Sequence, residues 1–346
     1  MALKDGHGGT KTDARSAAGT AGNGADGMEP QPRYFLARRL VGVATPREYL
    51  QTGLHGALLF GGPPLAARIL ARLGKRQALH RLEQWWARSV LRALRVRLDL
   101  DGIEHVDPRA TYVVAALHEG FPDALALLQL PLRMRFAVRD ELFEWRVLGP
   151  YLRDTGHIRV SPEQGRRSYR RLLREARAAL AAGESVAIFP QGTILGIETD
   201  FLGGAFALAR ALDCPILPVA ISGTHRVWEH PYTPRLRFGE RVSLRVLPPI
   251  RIEHAGRAHL DSIRIAVRRQ LKAAAFEGSM AAPRHFVPAR DGYWDGYAYQ
   301  IDPDFPELAA EIECHRRSAI NLCRATYGSI EPNQRKPGVD RSTARQ

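Results

Sequence analysis

Cysteine is scarce in this chain. There are three among 346 residues, Cys214, Cys314 and Cys323. An odd count without paired spacing argues against a disulfide framework and suits a reducing compartment. No cysteine–histidine cluster has zinc-finger spacing. Acidic side chains are also in short supply, 36 against 50 lysines and arginines, for a net charge of +14. That excess favours anionic partners, whether lipid headgroups, coenzyme phosphates or nucleic acid, without choosing among them. A spanning helix needs about 20 mostly apolar residues. The apolar stretch Leu50–Gly62 is stopped short by Pro63-Pro64, and Leu65–Leu73 carries Arg68 and Arg72 inside it. A pair of short helices meeting at those prolines is the expectation. A Gly-x-Ser-x-Gly turn is missing, which counts against an α/β-hydrolase, and there is no internal repeat.

With 45% hydrophobic and 25% charged residues, most of the chain reads as globular. Residues 1–30 have almost no large apolar side chains, residues 331–346 are polar, basic and Pro/Gly-containing, and both read as disordered tails. The first of them also lacks the apolar core of a secretory signal. Residues 31–98 read as a helical, membrane-associating segment. Trp85, Trp86, Leu91 and Leu94 stand there among Arg81, Arg88, Arg92, Arg95 and Arg97. Such a mixture suits a helix lying on an anionic bilayer surface, with an amphipathic helix packed on its own domain as the alternative. Residues 99–255 read as a catalytic domain and 256–330 as a helical and aromatic extension.

Within 99–255, short apolar runs alternate with helix-like stretches. Strands are expected at Tyr112–Leu117, Arg135–Val138, His157–Val160, Ser185–Phe189 and Ile216–Ile221. Helices are expected from Asp123, over Glu141–Arg153, Ser168–Ala182 and Gly204–Leu212, and at Asp261–Phe276. Arg235–Phe238 and Val242–Leu247 flank Gly239-Glu240 as a hairpin. The pattern predicts an α/β fold, a central mixed sheet flanked by helices, preceded by the amphipathic and hydrophobic helical segment.

His118 and Asp123 stand in LHEGFPD, at the end of a predicted buried strand. Open α/β sheets collect ligands at that end. On a continuous helix a five-residue step turns the side chains roughly 140° apart. Gly120 and Pro122 supply a break that allows them to meet, with Asp123 in the first turn of a helix. A neutral imidazole can take a proton from an alcohol, and a carboxylate can fix its tautomer. About seventy residues on, FPQGT at Phe189–Thr193 repeats the strand-to-turn pattern. Gly192 lets backbone approach a ligand, and amide N–H groups there could bind an oxyanion or a phosphate. A plain turn fits that segment as well.

These blocks resemble the glycerolipid acyltransferase family, typified by 1-acylglycerol-3-phosphate acyltransferases. His118 and Asp123 match its His-x4-Asp pair. Gly156–Val160 resembles its second block. Phe189, Pro190, Gly192 and Thr193 match Phe-Pro-Glu-Gly-Thr, and Pro215–Val219 resembles its proline-containing strand. The resemblance covers roughly Asp101 to Pro249. Two positions depart: Gln191 replaces the family's glutamate, and Pro162 stands where the second block usually has arginine.

The resemblance implies an O-acyltransferase. His118 acts as base and Asp123 as its orienting carboxylate, and the acyl group moves from an acyl-CoA or acyl carrier protein thioester to a lysophospholipid-type hydroxyl. It implies acceptor contacts at Gln191, Gly192 and Thr193, with Arg159 or Arg166 standing in for the missing arginine. No cofactor beyond the thioester and no metal is expected. The departures leave open an acceptor without a glycerophosphate, such as an amino-acid lysolipid. The expected setting is the cytoplasmic face of the cell membrane, peripheral or monotopic.

Arg166, Arg167, Arg170, Arg171 and Arg174 read as a solvated face, a phosphate or headgroup contact, or a nucleic-acid contact. No nucleic-acid-binding motif accompanies them, and a nucleic-acid partner is not expected. Arg290–Pro306 interleaves Tyr293, Trp294, Tyr297, Tyr299 and Phe305 with four aspartates, and reads as a structural cap or part of an acceptor pocket. A metal-dependent hydrolase built on His118, Glu119 and Asp123 lacks a second histidine at helical spacing. A non-catalytic basic membrane-binding protein is the other class left standing.

Overall fold

Seven short segments of the chain line up as one sheet. They are β3 (Arg97–Asp101), β4 (Val113–Ala116), β5 (Met134–Arg139), β6 (Ile158–Val160), β7 (Ser185–Ile188), β8 (Ile216–Ser222) and β9 (Arg241–Val246). The computed structural model describes residues 34–36, 39–41, 50, 53–54, 56–57, 62–161, 164–192, 199–228, 236–252, 256–277, 302 and 304. The expected tails, most of Leu50–Gly62, Pro162, Thr193 and the aromatic residues of Arg290–Pro306 lie outside the described residues.

The sheet order is β3-β9-β8-β4-β7-β5-β6. All neighbours are parallel except β8 and β9. The sheet is therefore mixed, with helices on both faces. All residues of β4 and β8 are buried, as expected of central parallel strands covered on both sides. The side chains of β4 alternate between two cores. Val114 and Ala116 face α2 (Arg76–Ala93) and α3 (Asp123–Leu127), meeting Trp86, Val90 and Leu125. Val113 and Ala115 face α6 (Arg166–Ala181), α7 (Gly204–Ala211) and α9 (Arg257–Glu277), meeting Leu172, Phe206 and Leu271.

Three expectations need correction. The stretch Glu141–Arg153 is two helices, α4 (Asp140–Phe143) and α5 (Leu148–Thr155). The chain folds back so tightly between them that a Cβ on Gly149 would meet the Phe143 carbonyl oxygen at 2.1 Å. Val242–Leu247 does not form a hairpin with the segment before Gly239. Both edges of β9 are taken by β3 and β8, Leu236 bridges Trp228 instead, and the Gly239 N–H is tied to the Leu94 carbonyl. Within the supposedly helical 31–98, a short antiparallel pair joins β1 (Tyr34–Leu36) to β2 (Arg39–Val41). Pro63-Pro64 opens α1 (Pro63–Arg72), where proline tolerates the first turn. The break between α1 and α2 falls at Gly74-Lys75, with Gly74 at φ +67°.

Helices α1 and α2 are fastened to the domain by charge as well as packing. Arg68 and Arg72 both reach Asp154 of α5, at 2.6 and 3.0 Å. Deeper, His80 lies between Glu83 at 3.3 Å and Glu184 at 2.8 Å, and Glu184 also pairs with Arg135 of β5. Tyr151 donates to Glu83 at 2.6 Å. His157 accepts the Phe136 N–H on Nδ1 at 3.1 Å, so when neutral it carries its hydrogen on Nε2, 3.4 Å from the Tyr151 oxygen. Burial opposes charge on His80, but the hydrogen bonds to Glu184 and Glu83 outweigh it and raise its pKa. His157 has burial and no adequate counter-charge, and its pKa is pushed down to about 4.

The two histidines respond to pH in opposite senses. Stability contributed by charged His80 is full below the unfolded value of 6.5 and is lost as pH rises through the raised value. Stability contributed by neutral His157 is full above 6.5 and is lost as pH falls toward about 4. His157→Asn keeps an acceptor for the Phe136 N–H and removes the second effect. Urea unfolding between pH 6.5 and 4 is expected to show a shallower loss of stability in this variant than in wild type. Parallel curves would contradict the assignment.

Candidate active site

Four adjacent parallel strands, β8, β4, β7 and β5, deliver their carboxyl ends to one edge of the sheet. Gly223-Thr224, His118, Phe189-Pro190-Gln191 and Arg139 are brought together there. After β4 the chain runs through Gly120 and Pro122 and enters α3 at Asp123, with Pro122 as its N-cap. This bend returns the Asp123 carboxylate to the imidazole, Oδ2 lying 2.6 Å from His118 Nδ1.

Asp123 is fully buried, and a buried carboxylate must find donors. Its Oδ2 also accepts the N–H groups of Glu119 at 2.7 Å and Gly120 at 3.0 Å. Its Oδ1 accepts the Thr224 hydroxyl. The His118 ring lies flat against Phe189, with centroids 3.9 Å apart and planes 13° apart. Packing and hydrogen bonding thus fix the imidazole on its face and on its Nδ1 edge, while the side chain remains 22% exposed.

A cavity of about 390 Å³ opens at His118, within the roughly 300–1,000 Å³ usual for ligand pockets. Its wall is largely apolar. Phe121, Ala124, Leu125 and Leu128 come from one side, Leu172 and Ala205 from the other, and Trp86, Phe136, Tyr151 and His157 also line it.

The remaining residues singled out from the sequence are placed unevenly. Gly192 lines the cavity and takes a φ of +67°, which favours glycine. Its N–H closes the turn on the Phe189 carbonyl at 3.0 Å, so that amide is not offered to an oxyanion. Gln191 is buried and faces the backbone of His118, with Oε1 accepting the His118 N–H at 2.6 Å. Arg159 pairs with Glu144 at 2.9 Å and lies 4.7 Å over the Phe143 ring. Arg166 sits on the exposed first turn of α6. Neither arginine lines the cavity. Thr193 is outside the described residues.

The roles of three contributors escaped the sequence reading, Glu119 having entered it only as a metal-ligand candidate. Thr224 binds Asp123, and the only cue was a glycine and a hydroxyl directly after a buried strand. Glu119 accepts the Gly223 N–H at 2.9 Å, clamping the end of β8 to the His118 loop. Arg139, held by both oxygens of Glu141 at 2.9 Å, lines the cavity and reaches the Gly192 carbonyl at 3.4 Å.

The sequence model of the acyltransferase family matches residues 97–222, the span from β3 to the end of β8. A 1-acyl-sn-glycerol-3-phosphate acyltransferase of Chlamydomonas reinhardtii is 28% identical over 228 residues, 64% of this chain and 67% of that one. One from Bacillus subtilis is 27% identical over 140 residues, covering 40% of this chain and 68% of its own. The crystal structure of the 1-acyl-sn-glycerophosphate acyltransferase PlsC from Thermotoga maritima superposes with a TM-score of 0.53, covering 67% of this chain and 93% of that one. At 20% identity it speaks for the fold alone. Residues 97–222 thus match the acyltransferase family model, and across them the chain is similar to 1-acyl-sn-glycerol-3-phosphate acyltransferases.

Proposed function

We propose that the protein transfers a fatty acyl group from a thioester to the hydroxyl of a lysophospholipid, with His118 as general base. The carrying observation is the His118–Asp123 pair at the mouth of a mostly apolar cavity. With the carboxylate accepting at Nδ1, the Nε2 lone pair is left to take the acceptor's hydroxyl proton. The freed oxygen attacks the thioester carbonyl, the C–S bond breaks, and the proton on Nε2 passes to the departing sulfur. Asp123 stabilises the imidazolium between these steps. The cavity suits the hydrocarbon chain, each buried methylene contributing about 0.8 kcal/mol. The donor is an acyl-CoA or an acyl carrier protein thioester, with no further cofactor.

The names of the relatives support 1-acylglycerol-3-phosphate as acceptor. A second reading, a lysolipid without the phosphate, is favoured by Pro162 at the family's arginine position and by the engagement of Arg159 with Glu144. Labelled thioester incubated with a lipid extract, followed by mass identification of the acylated product, separates the two. A non-catalytic role predicts no thioester consumption at all.

We further propose that α1 and α2 rest on an anionic membrane surface, on the cytoplasmic face. Among the described residues no helix is long and apolar enough to cross a bilayer. Leu65, Ile69 and Leu73 form an exposed stripe at four-residue spacing, and Trp85 is exposed on α2. An apolar stripe beside arginines is the pattern of a helix lying in the interface.

His118→Ala is expected to lower kcat by roughly 10²–10⁴-fold, the usual worth of general-base catalysis, while leaving the circular dichroism spectrum unchanged. Asp123→Asn is expected to lower kcat in the same direction. Wild-type turnover in His118→Ala would remove the base assignment. For the membrane contact, Leu65→Glu/Ile69→Glu is expected to weaken sedimentation with phosphatidylglycerol vesicles at least tenfold, with kcat toward detergent-dispersed acceptor retained. Unchanged sedimentation would refute the docking face.

A further inference from the structure

Outside the lining of the cavity at His118, α9 carries a fully buried lysine, Lys272. A buried ammonium needs both a counter-charge and acceptors for its protons. The counter-charge is Asp302, also fully buried, which lies beyond α9 and about eighty residues beyond the span matched by the acyltransferase family. Arg268 approaches the same carboxylate at 3.1 Å. Asp304 pairs with Arg268 and, at 2.7 Å, with Arg269. Its N–H donates to Asp302 at 2.9 Å.

Lys272 and Arg268 also bond to the segment Thr199–Phe201. Lys272 donates to the Thr199 carbonyl at 2.7 Å and stands 5.9 Å over the Phe201 ring. Arg268 and Arg264 hold Asp200 at 2.7 and 3.4 Å, and Arg264 donates to the Phe201 carbonyl at 2.9 Å. The next residue, Leu202, donates its N–H to the Pro190 carbonyl at 2.7 Å. Its side chain fills the space over Gly192, where a Cβ would come within 2.9 Å of Leu202 Cδ1. Pro190 and Gly192 flank Gln191, whose amide oxygen holds the His118 N–H.

We propose that Asp302 is a positioning residue for acyl transfer: by neutralising Lys272 and Arg268 under Thr199–Leu202, it seats the Pro190–Gly192 turn against His118. The inference rests on the acyltransferase mechanism given above. It assigns a role in that site to a residue outside the span that matches the acyltransferase family.

The full-length chain is assayed as wild type, Asp302→Ala, Asp302→Asn and the double variant Lys272→Met/Asp302→Leu. Asp302→Ala is expected to lower kcat at least tenfold, with KM for thioester and acceptor within threefold. Amide exchange over 199–204 speeds up while 112–118 keeps its protection. Asp302→Asn keeps an acceptor for Lys272 but removes the neutralising charge, and is expected to lower kcat in the same direction as Asp302→Ala. The double variant replaces the ion pair with apolar volume, so Tm recovers, but the Lys272–Thr199 hydrogen bond is lost and kcat stays low. Recovery of kcat together with Tm in the double variant would reduce Asp302 to a stability element and overturn the proposal. Wild-type kcat in Asp302→Ala would overturn it directly. Absence of transfer by the wild-type protein, or transfer undiminished in His118→Ala, would instead strike the mechanism on which it rests.

Discussion

The site is organised around one buried carboxylate. Asp123 has no contact with water, and four donors compensate: the His118 ring, two amides of its own loop, and the hydroxyl of Thr224. A buried charge that loses its partners costs several kcal/mol. The loop 118–123 and the end of β8 are therefore held in one arrangement, whatever else occupies the cleft. The sheet order makes this possible. Placing β8 and β7 on either side of β4 sets Thr224 and Gln191 on opposite flanks of His118. The imidazole is located by neighbours that are remote in sequence and adjacent in the sheet.

A second tier of buried charge sits on each face of the sheet. On one, His80, Glu83, Glu184 and Arg135 lock α2 to β5 and β7 below the cavity. On the other, Asp200, Lys272, Arg268 and Asp302 lock α9 to residues Thr199–Phe201. Salt bridges of this kind add little net stability compared with apolar replacements. What they contribute is a defined geometry, and both border the walls of the same cavity.

Much of this was legible in the sequence, for identifiable reasons. Strands β4 and β8 announce themselves because burial on both faces demands unbroken apolar runs. The His118–Asp123 meeting was legible because Gly120 and Pro122 force a bend. Strand β3 was not singled out, because RLDLD alternates charge with leucine and is half-exposed at an edge. Thr224 and Asp302 were invisible as partners, since their roles depend on which strands and helices become neighbours. The hairpin before β9 was misread because turn residues report a local bend and say nothing about which strand claims the free edge. The amide of Gly192 looked available for a ligand, and only the closed turn shows it engaged. The arginines at 159 and 166 illustrate the same limit: a guanidinium in the right block can be claimed by a nearby glutamate or lie on an outer face.

The stack of His118 on Phe189 has a geometric corollary. An imidazole pinned on one face and tethered at one nitrogen cannot turn its ring, so its remaining nitrogen accepts a proton along a single direction. Under the acyl transfer we propose, with the thioester held in one orientation, a hydroxyl delivered along that line approaches the planar carbonyl from one side only. The tetrahedral adduct, whose carbon bears four different groups, is then formed with a single handedness, although neither substrate nor product keeps any record of it.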